Sequence, residues 1–187
     1  MQFEISREAL IKPLQLVTGV VERRQTLPVL SNVLLVLDKN QLSLTGTDLE
    51  VELMGSVEVD SAKSDGEITV PARKLMDICK SLPDSASLKF ELDDEKLKIQ
   101  SGRSRFSLST LPATDFPGVE ESSGTLQFYA SKGLLKTMLH NTSFAMAQQD
   151  VRYYLNGMLI EVSPDYLRVV ATDGHRLAMQ TEDMKAD

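Results

Sequence analysis

The sequence has one cysteine and no tryptophan, and aromatic residues make up only 5% of its 187 positions. The single thiol, Cys79, excludes an internal disulfide, which is typical of proteins in a reducing compartment. The longest apolar run, Val33–Leu37, is far too short to span a bilayer. No basic stretch followed by an apolar one opens the chain, so no secretory signal is visible. We therefore expect a cytoplasmic protein without membrane contact.

Signatures of catalysis are also missing, because the sequence has no phosphate-binding glycine loop, no paired cysteines and no metal-ligand spacing. Of its two histidines, His140 lies on a predicted helix where it would face solvent, and His175 lies two residues after Asp173. An acid–base site of a nuclease or hydrolase is one interpretation of that pair. No nucleophile is apparent, and we favour a turn in which Asp173 accepts backbone hydrogen bonds. We expect no enzymatic activity, no cofactor and no metal.

The chain repeats itself with an offset of 125 residues. Residues 3–53, aligned without a gap on residues 128–178, share nine identities in 51 positions. The identical pairs are Phe3/Phe128, Ser6/Ser131, Leu10/Leu135, Leu14/Leu139, Leu30/Leu155, Leu34/Leu159, Leu42/Leu167, Thr47/Thr172 and Asp48/Asp173. Self-similarity at a fixed offset indicates a repeated fold, in which the second copy stops about halfway.

The spacing of apolar residues predicts an α+β protein. Three amphipathic helices are predicted, over residues 6–24, 72–82 and 131–149. Ser6 is the candidate N-cap of the first, and Pro13 is expected to kink that helix or delay its start. Between the helices, apolar and polar residues alternate as in half-buried antiparallel strands.

The order strand, helix, strands occurs twice in the first part of the chain, which favours helices packed on one side of antiparallel sheets. Thr110–Gly124, with two prolines and several small polar residues, is predicted to be an interdomain linker. We therefore expect a complete domain over residues 1–124 and the first half of a second over residues 125–187.

Charge is unevenly distributed along the chain. The net charge is −7, yet the 49 residues of the three predicted helices carry +6, which leaves −13 on the other 138. Because local potential decides where a polyanion binds, this pattern is compatible with a basic face on an acidic body. The alternative is that each helix has a small chance excess on a solvated face.

Two segments are candidate binding surfaces. Gln148–Leu155 combines amides, a guanidinium and two phenols, which suit phosphate contacts and base stacking. If this segment were a strand, one of the adjacent tyrosines would instead point into the core. The preceding repeat has Arg23–Arg24 at the matching place, where cations could equally relieve a helix dipole.

Ser101–Pro112 is the second segment and is predicted to be an edge strand, which would invite a partner strand. The alternative is an ordinary surface strand that turns Phe106 and Leu108 into the core.

Five contiguous motifs resemble the bacterial DNA polymerase III beta subunit family, the replicative sliding clamps. The motifs are Gly102–Pro117, Leu44–Glu50, Val70–Lys74, Gln149–Met158 and Ala171–Ala178. The resemblance covers essentially the whole chain and is greatest to clamps of the proteobacterial type. It implies the DNA clamp fold, in which strand–helix–strands units place helices along an inner face and antiparallel sheets outside. It also implies a ring of two three-domain chains that encircles duplex DNA and tethers the replicative polymerase.

The resemblance also implies a role for each matching residue. Double-stranded and primed DNA would be contacted by Arg24, Gln149, Tyr153 and Tyr154. The cleft for linear motifs of the replicative polymerase, the clamp loader and other polymerases would include Leu155, Thr172, Gly174, His175, Arg176 and Leu177. The first-domain side of the homodimer interface would include Lys74, Arg103, Arg105, Phe106 and Leu108.

The sequence departs from the family pattern in two respects. Position 148 is glutamine where many relatives have histidine, and the second repeat is only half present. We therefore expect that the 187-residue chain cannot close a ring by itself and binds clamp peptides weakly or not at all. The alternative function is a protein-interaction module that binds short peptides without encircling DNA.

Overall fold

The structure, a computed structural model, describes residues 1–21, 27–118 and 128–184. Contacts divide the chain into two units, Met1–Glu121 and Ser122–Asp187. Both units contain helices and antiparallel sheets, so the predicted α+β class is confirmed. Within the described ranges, no helix is long and apolar enough to cross a membrane.

The described part of the first unit has two α-helices and two antiparallel sheets. Its helices are α1, Arg7–Val17, and α2, Ala72–Ser81. Its strands are β1 Gln2–Ser6, β2 Asn32–Asp38, β3 Gln41–Thr47, β4 Glu52–Glu58, β5 Ser61–Ser64, β6 Gly66–Pro71, β7 Ser87–Asp93, β8 Lys96–Ser101 and β9 Ser104–Ser109. One sheet has the order β5-β1-β7-β8-β9 and the other β4-β3-β2-β6. β9 is therefore an edge strand, as predicted.

The core of the first unit lies between the helices and the sheets. α1 buries Leu10, Leu14 and Val17, and α2 buries Leu75 and Cys79. These residues recur every three or four positions, as in the amphipathic helices predicted over 6–24 and 72–82, and burying them is the main favourable contribution to folding. The buried apolar residues of the two helices and of the strands therefore pack together in one cluster.

Pro13 lies inside α1, which nevertheless begins directly after Ser6 and continues to Val17. The expectation of a late start is wrong. The Pro13 ring packs against β4 at Gly55, where a Cβ would lie 2.9 Å from the Pro13 Cβ. The helix also ends earlier than predicted, at Thr18 as its C-cap, because threonine and the following glycine are poor helix formers.

The second unit has one α-helix, one 3₁₀ helix and one sheet in its described residues. Helix α3 is Lys132–Ser143, and the strands are β10 Leu159–Val162, β11 Tyr166–Thr172 and β12 Leu177–Asp183. The sheet order is β10-β11-β12, with antiparallel pairing throughout. Met138 of α3 packs with Leu167 and Val169 of β11 to form the core.

The two units repeat each other at the predicted offset of 125 residues. Strands β11 and β12 occupy the positions of β3 and β4 plus 125. The N-caps repeat as well: Ser6 Oγ accepts from the Ala9 backbone N–H at 3.3 Å, and Ser131 Oγ from that of Leu134 at 3.1 Å. The internal repeat is therefore confirmed at the level of individual hydrogen bonds.

Two further expectations need correction. α3 ends at Ser143 rather than at residue 149, although the apolar periodicity continues beyond its end.

The predicted linker is also shorter, because Leu111 pairs with Thr69 of β6 and Phe116 is buried. Thr69 Oγ1 donates to the Leu111 carbonyl at 2.9 Å and accepts from Asn32 Nδ2 at 2.9 Å. The start of the linker segment is thus part of the first unit.

Candidate nucleic-acid and peptide interface

A single carboxylate organises the turn between β11 and β12. Asp173 Oδ1 accepts the backbone N–H groups of His175 and Arg176, both at 2.9 Å, and Arg176 Nε donates to Oδ2 at 2.9 Å. Thr172 Oγ1 donates to the Arg176 carbonyl at 2.7 Å and accepts the Gly174 N–H at 3.1 Å. The backbone of the turn is therefore held internally, while the side chains of residues 175–177 are exposed.

The hydrogen bonds to Asp173 argue against an acid–base role. Backbone N–H donation from His175, followed by that from Arg176, lowers the pKa of Asp173 below its ordinary value. An ionised carboxylate whose oxygens already accept three hydrogen bonds is a poor general base. Within residues 1–21, 27–118 and 128–184, no group of three or more His, Cys, Asp or Glu side chains could hold a metal. The structure favours the predicted turn.

The first repeat contains the same turn with a different side chain at its centre. Asp48 Oδ1 accepts the backbone N–H groups of Glu50 at 2.9 Å and Val51 at 2.7 Å, as Asp173 does for its own turn. Leu49 has φ 80°, and its counterpart Gly174 has φ 87°. This turn therefore accommodates a leucine in one copy and a glycine in the other.

A second network, which lies between α3 and β10, fixes the loop before the tyrosines. Arg152 donates to Asp150 through Nε at 3.0 Å and Nη2 at 2.8 Å. Asn156 accepts the Asp150 N–H at 2.9 Å and donates to the Asp150 carbonyl at 3.0 Å. The Arg152 guanidinium is the largest influence on the carboxyl and lowers the pKa of Asp150 to about 2. Asp150 is therefore bonded to residues on both sides of the tyrosines, Arg152 before them and Asn156 after them.

Acidification will disrupt the Asp150–Arg152 pair only near pH 2. Because the folded pKa lies below the ordinary 3.8, the pair contributes stability above pH 3.8 and loses it as the pH falls through about 2. A carboxyl-detected NMR titration of this chain measures the midpoint. In the Arg152→Ala variant the midpoint will rise toward 3.8. An equal midpoint in the two proteins would contradict the assigned cause.

The two adjacent tyrosines lie on a 3₁₀ helix, Tyr153–Asn156, and not on a strand. Tyr153 is 82% exposed and Tyr154 is 68% exposed. Their ring centroids lie 6.0 Å apart in an edge-to-face arrangement. The alternative that one of them is a core residue is therefore wrong, because the tight helical turn presents both rings to solvent. Leu155 follows them and is half-buried.

A concavity of about 610 Å³ joins the loop and the turn. Its lining includes Gln149, with φ 57°, and both His175 and Arg176. The guanidinium of Arg176 lies 5.7 Å from the centroid of the Phe144 ring, which also lines the concavity. The structure thus brings together one residue predicted to contact DNA and two predicted to contact peptides. The sequence did not predict Phe144 as a site residue, because it lay within the predicted helix over 131–149. In the structure α3 ends at Ser143, and the Phe144 ring is exposed.

The predicted dimer surface lies in the first unit. Arg103 and Arg105 are exposed on the β8–β9 hairpin and on β9, and Lys74 is exposed on α2. Phe106 is half-buried against the core and Leu108 is 5% exposed. Leu108 is thus turned into the core, as the alternative interpretation of this strand expected. It can therefore stabilise β9 but offers almost no surface to a partner chain.

Arg24, the remaining predicted DNA contact, lies outside the described residues, as does Arg23.

Comparison with known proteins covers nearly the whole chain. The family model described as DNA polymerase III beta subunit, N-terminal domain, matches residues 1–120, and the model of the central domain matches residues 130–187. The beta sliding clamp of Pseudomonas aeruginosa is 66% identical over 183 residues, which are 98% of this chain and 50% of that protein.

Solved structures agree with these matches. The crystal structure of the Pseudomonas aeruginosa DNA polymerase III subunit beta superposes with a TM-score of 0.94 and 63% identity, over 100% of this chain and 51% of that one. A structure of the same organism's sliding clamp bound to griselimycin superposes with a TM-score of 0.95 and 65% identity, over 99% and 50%. The chain therefore spans about half the length of the relatives it matches.

Proposed function

This chain belongs to the DNA polymerase III beta subunit family, and on that premise we propose that it forms part of a sliding clamp, a non-enzymatic ring that encircles duplex DNA and tethers the replicative polymerase. The α+β DNA clamp fold is confirmed by the superpositions. The observation that carries the proposal is the match of both family domains to this chain, in the expected order. We propose residues 1–124 as the complete first domain and 125–187 as the first half of the second.

DNA would be contacted by Arg24, Gln149, Tyr153 and Tyr154. The exposure of both tyrosine rings supports this assignment, because stacking of a base on an aromatic ring requires a free face. Exposed cations on the helices, such as Lys132 and Lys136 of α3, suit contact with phosphate. Such contact is independent of sequence, so it allows the ring to slide.

The turn between β11 and β12 would form one wall of a cleft for linear peptides of the polymerase and the clamp loader. The proposed wall comprises Leu155, Thr172, Gly174, His175, Arg176 and Leu177. Leu177 is 63% exposed beside a backbone that its own turn already satisfies. An exposed apolar side chain on a rigid support offers contact area that an apolar side chain of a peptide can bury. The relative bound to griselimycin shows that a clamp of this family takes up a ligand.

The edge of the first unit would pair with a second chain to close the ring. β9 is the outer strand of its sheet, so its free backbone groups can pair with a partner strand. Arg103, Arg105 and Lys74 would supply the charge, and Phe106 the apolar contact. We place this assembly in the cytoplasm, without a cofactor or metal.

Retention on circular DNA tests the proposal. A ring-forming clamp that carries this sequence, loaded by its clamp loader onto nicked circular DNA, will remain bound through gel filtration and will be lost once the circle is cut. The reason is that a closed ring cannot leave a closed circle of DNA, even when its contacts with phosphate are weak. On a linear molecule the same ring slides off a free end.

Equal retention on circular and linear DNA would instead indicate ordinary affinity, and the ring would have to be abandoned. No retention on either form, together with intact peptide binding, would favour the protein-interaction module.

A further inference from the structure

The first unit consists of two halves that exchange their first strands. One half has β1, α1, β2, β3 and β4, and the other has β6, α2, β7, β8 and β9, with the short strand β5 between them. β1 pairs with β7 and β6 pairs with β2, in both cases antiparallel. The first strand of each half therefore completes the sheet of the other half.

The second unit contains one such half in its described residues. α3, β10, β11 and β12 stand in the places of α1, β2, β3 and β4 at the offset of 125. β10 lies at the edge of its sheet, whereas β2 lies between β3 and β6. Residues 128–131, the counterparts of residues 3–6 in β1, lie outside the strands that the structure describes. An open strand edge and a segment whose counterpart is a strand therefore both belong to the second unit.

Large apolar side chains at these two places are exposed. Phe128 is 40% exposed and Ile160 is 47% exposed, whereas their counterparts Phe3 and Leu35 are each 1% exposed. An open strand edge with exposed apolar side chains invites pairing with another chain. The same positions are therefore core in the first unit and open to contact in the second.

The two strand exchanges of the first unit have the same register. Phe3 lies opposite Phe90, and Ile68 lies opposite Leu35. Phe3 and Ile68 each lie three residues before the N-cap of the helix that follows their strand. All four side chains are buried, and the Phe3 and Phe90 rings stack with their centroids 4.6 Å apart. One buried apolar pair therefore marks each exchange.

A second copy of the chain can supply the same pair to the second unit. Phe128 lies three residues before Ser131, the N-cap of α3, and Ile160 corresponds to Leu35 of β2. A two-fold axis between two copies places Phe128 of each opposite Ile160 of the other, in the register that β1 and β6 already use. Two open edges are then paired and two apolar pairs are buried, because every contact of a two-fold interface occurs twice.

We propose that two copies of the 187-residue chain associate through their second units, each adding residues 128–131 to the free edge of β10 of the other. The dimer repeats between two chains the strand exchange that the first unit makes within one chain. It uses neither β9 nor the turn between β11 and β12, so it does not depend on the proposed function. In a ring-forming clamp the second half of this domain would cover the same edge, and the contact is therefore a property of the 187-residue chain.

Sedimentation of the 187-residue chain over a dilution series tests the association. We expect the mass to approach that of two chains as the concentration rises. Ile160→Lys puts a charge opposite Phe128 at both of the equivalent contacts, and we expect it to raise the dissociation constant by about a hundredfold or more. A single-chain mass throughout the series would overturn the proposal.

Met179→Lys is the matched control for the added charge. Met179 is 59% exposed on β12, the opposite edge strand of the same sheet. We expect its dissociation constant to stay within about twofold of the unmodified chain, because the proposed contact leaves this edge free. Equal weakening by both lysine variants would show that the β10 edge is not the contact.

The Arg103→Glu, Arg105→Glu double variant separates this dimer from the contact proposed for β9. Both arginines belong to the first unit, so we expect the dissociation constant of the 187-residue chain to stay within about twofold. A loss as large as that from Ile160→Lys would assign the association to β9 and overturn the proposal.

A disulfide between two different single-cysteine variants tests the register and guards against a loss of structure in Ile160→Lys. Residues opposite each other on antiparallel strands are close enough to be linked, and the native Cys79 is fully buried. We expect oxidation of a mixture of Phe128→Cys and Ile160→Cys chains to give a covalent dimer that neither variant gives alone. An equal yield from Phe128→Cys mixed with Met179→Cys would overturn the register and the two-fold arrangement.

Discussion

Changing both Arg103 and Arg105 to glutamate will raise the dissociation constant of the proposed clamp dimer by about a hundredfold or more. Both side chains are exposed at the free edge of the five-stranded sheet, where a partner strand would pair with β9. Because these arginines would supply the positive charge of the proposed contact, the facing surface of the partner is expected to be acidic. Two glutamates would then place like charges against each other, which costs several kcal/mol, and each 1.4 kcal/mol is about tenfold in affinity. Sedimentation of the ring-forming protein over a dilution series measures the effect.

Lys63→Glu is the matched control for this charge reversal. Lys63 is exposed on β5, the opposite edge strand of the same sheet, so it tests whether charge alone is responsible. We expect dissociation of the Lys63→Glu ring to remain within about twofold of the unmodified protein, since screened surface charges contribute little. Equal weakening by both variants would show that β9 has no special place in the assembly.

Leu14→Ala will lower the free energy of unfolding of the first unit by about 3 to 5 kcal/mol. The Leu14 side chain is fully buried at 0% exposure, where α1 packs in the core cluster. Truncation removes its apolar contacts and leaves a cavity that the surrounding side chains fill only in part. Urea unfolding of the 187-residue chain, followed by circular dichroism, measures the change.

Leu16→Ala on the same helix is the control. The substitution removes the same atoms two residues away, but the Leu16 side chain is 51% exposed. We therefore expect the free energy of unfolding to fall by less than about 1 kcal/mol. If both variants lost the same stability, the assignment of the inward face of α1 would be wrong.

The repeat and the fold class could be derived from the sequence because they depend on local patterns. A period near 3.6 or 2 specifies a helix or a strand, and a serine before the first apolar turn specifies its cap. For that reason Ser6 and Ser131 could be recognised as equivalent caps without coordinates. The turns centred on Asp48 and Asp173 were also predictable, since each aspartate bonds to residues only two and three positions later.

The ends of α1 and α3 were less predictable. Buried apolar residues continue past both helix ends, so the periodic signal does not stop where the helical hydrogen bonds do. The placement of Tyr153 and Tyr154 on an exposed 3₁₀ helix depends in turn on the loop that precedes it. That loop is fixed by hydrogen bonds between the side-chain amide of Asn156 and the backbone of Asp150. Secondary-structure propensities do not predict such bonds.

By itself the sequence determined the doubled α+β plan, the turn chemistry and the list of residues from which a binding surface could be built. Only the tertiary structure decided which of them meet. Leu108 turns inward because β9 packs on the core, and Arg152 reaches Asp173, 21 residues away, because the loop and the β11–β12 turn fold against each other. The physical reason is range: propensity and periodicity act over a few neighbouring residues, whereas the candidate site consists of contacts that form only once the sheet has brought distant segments together.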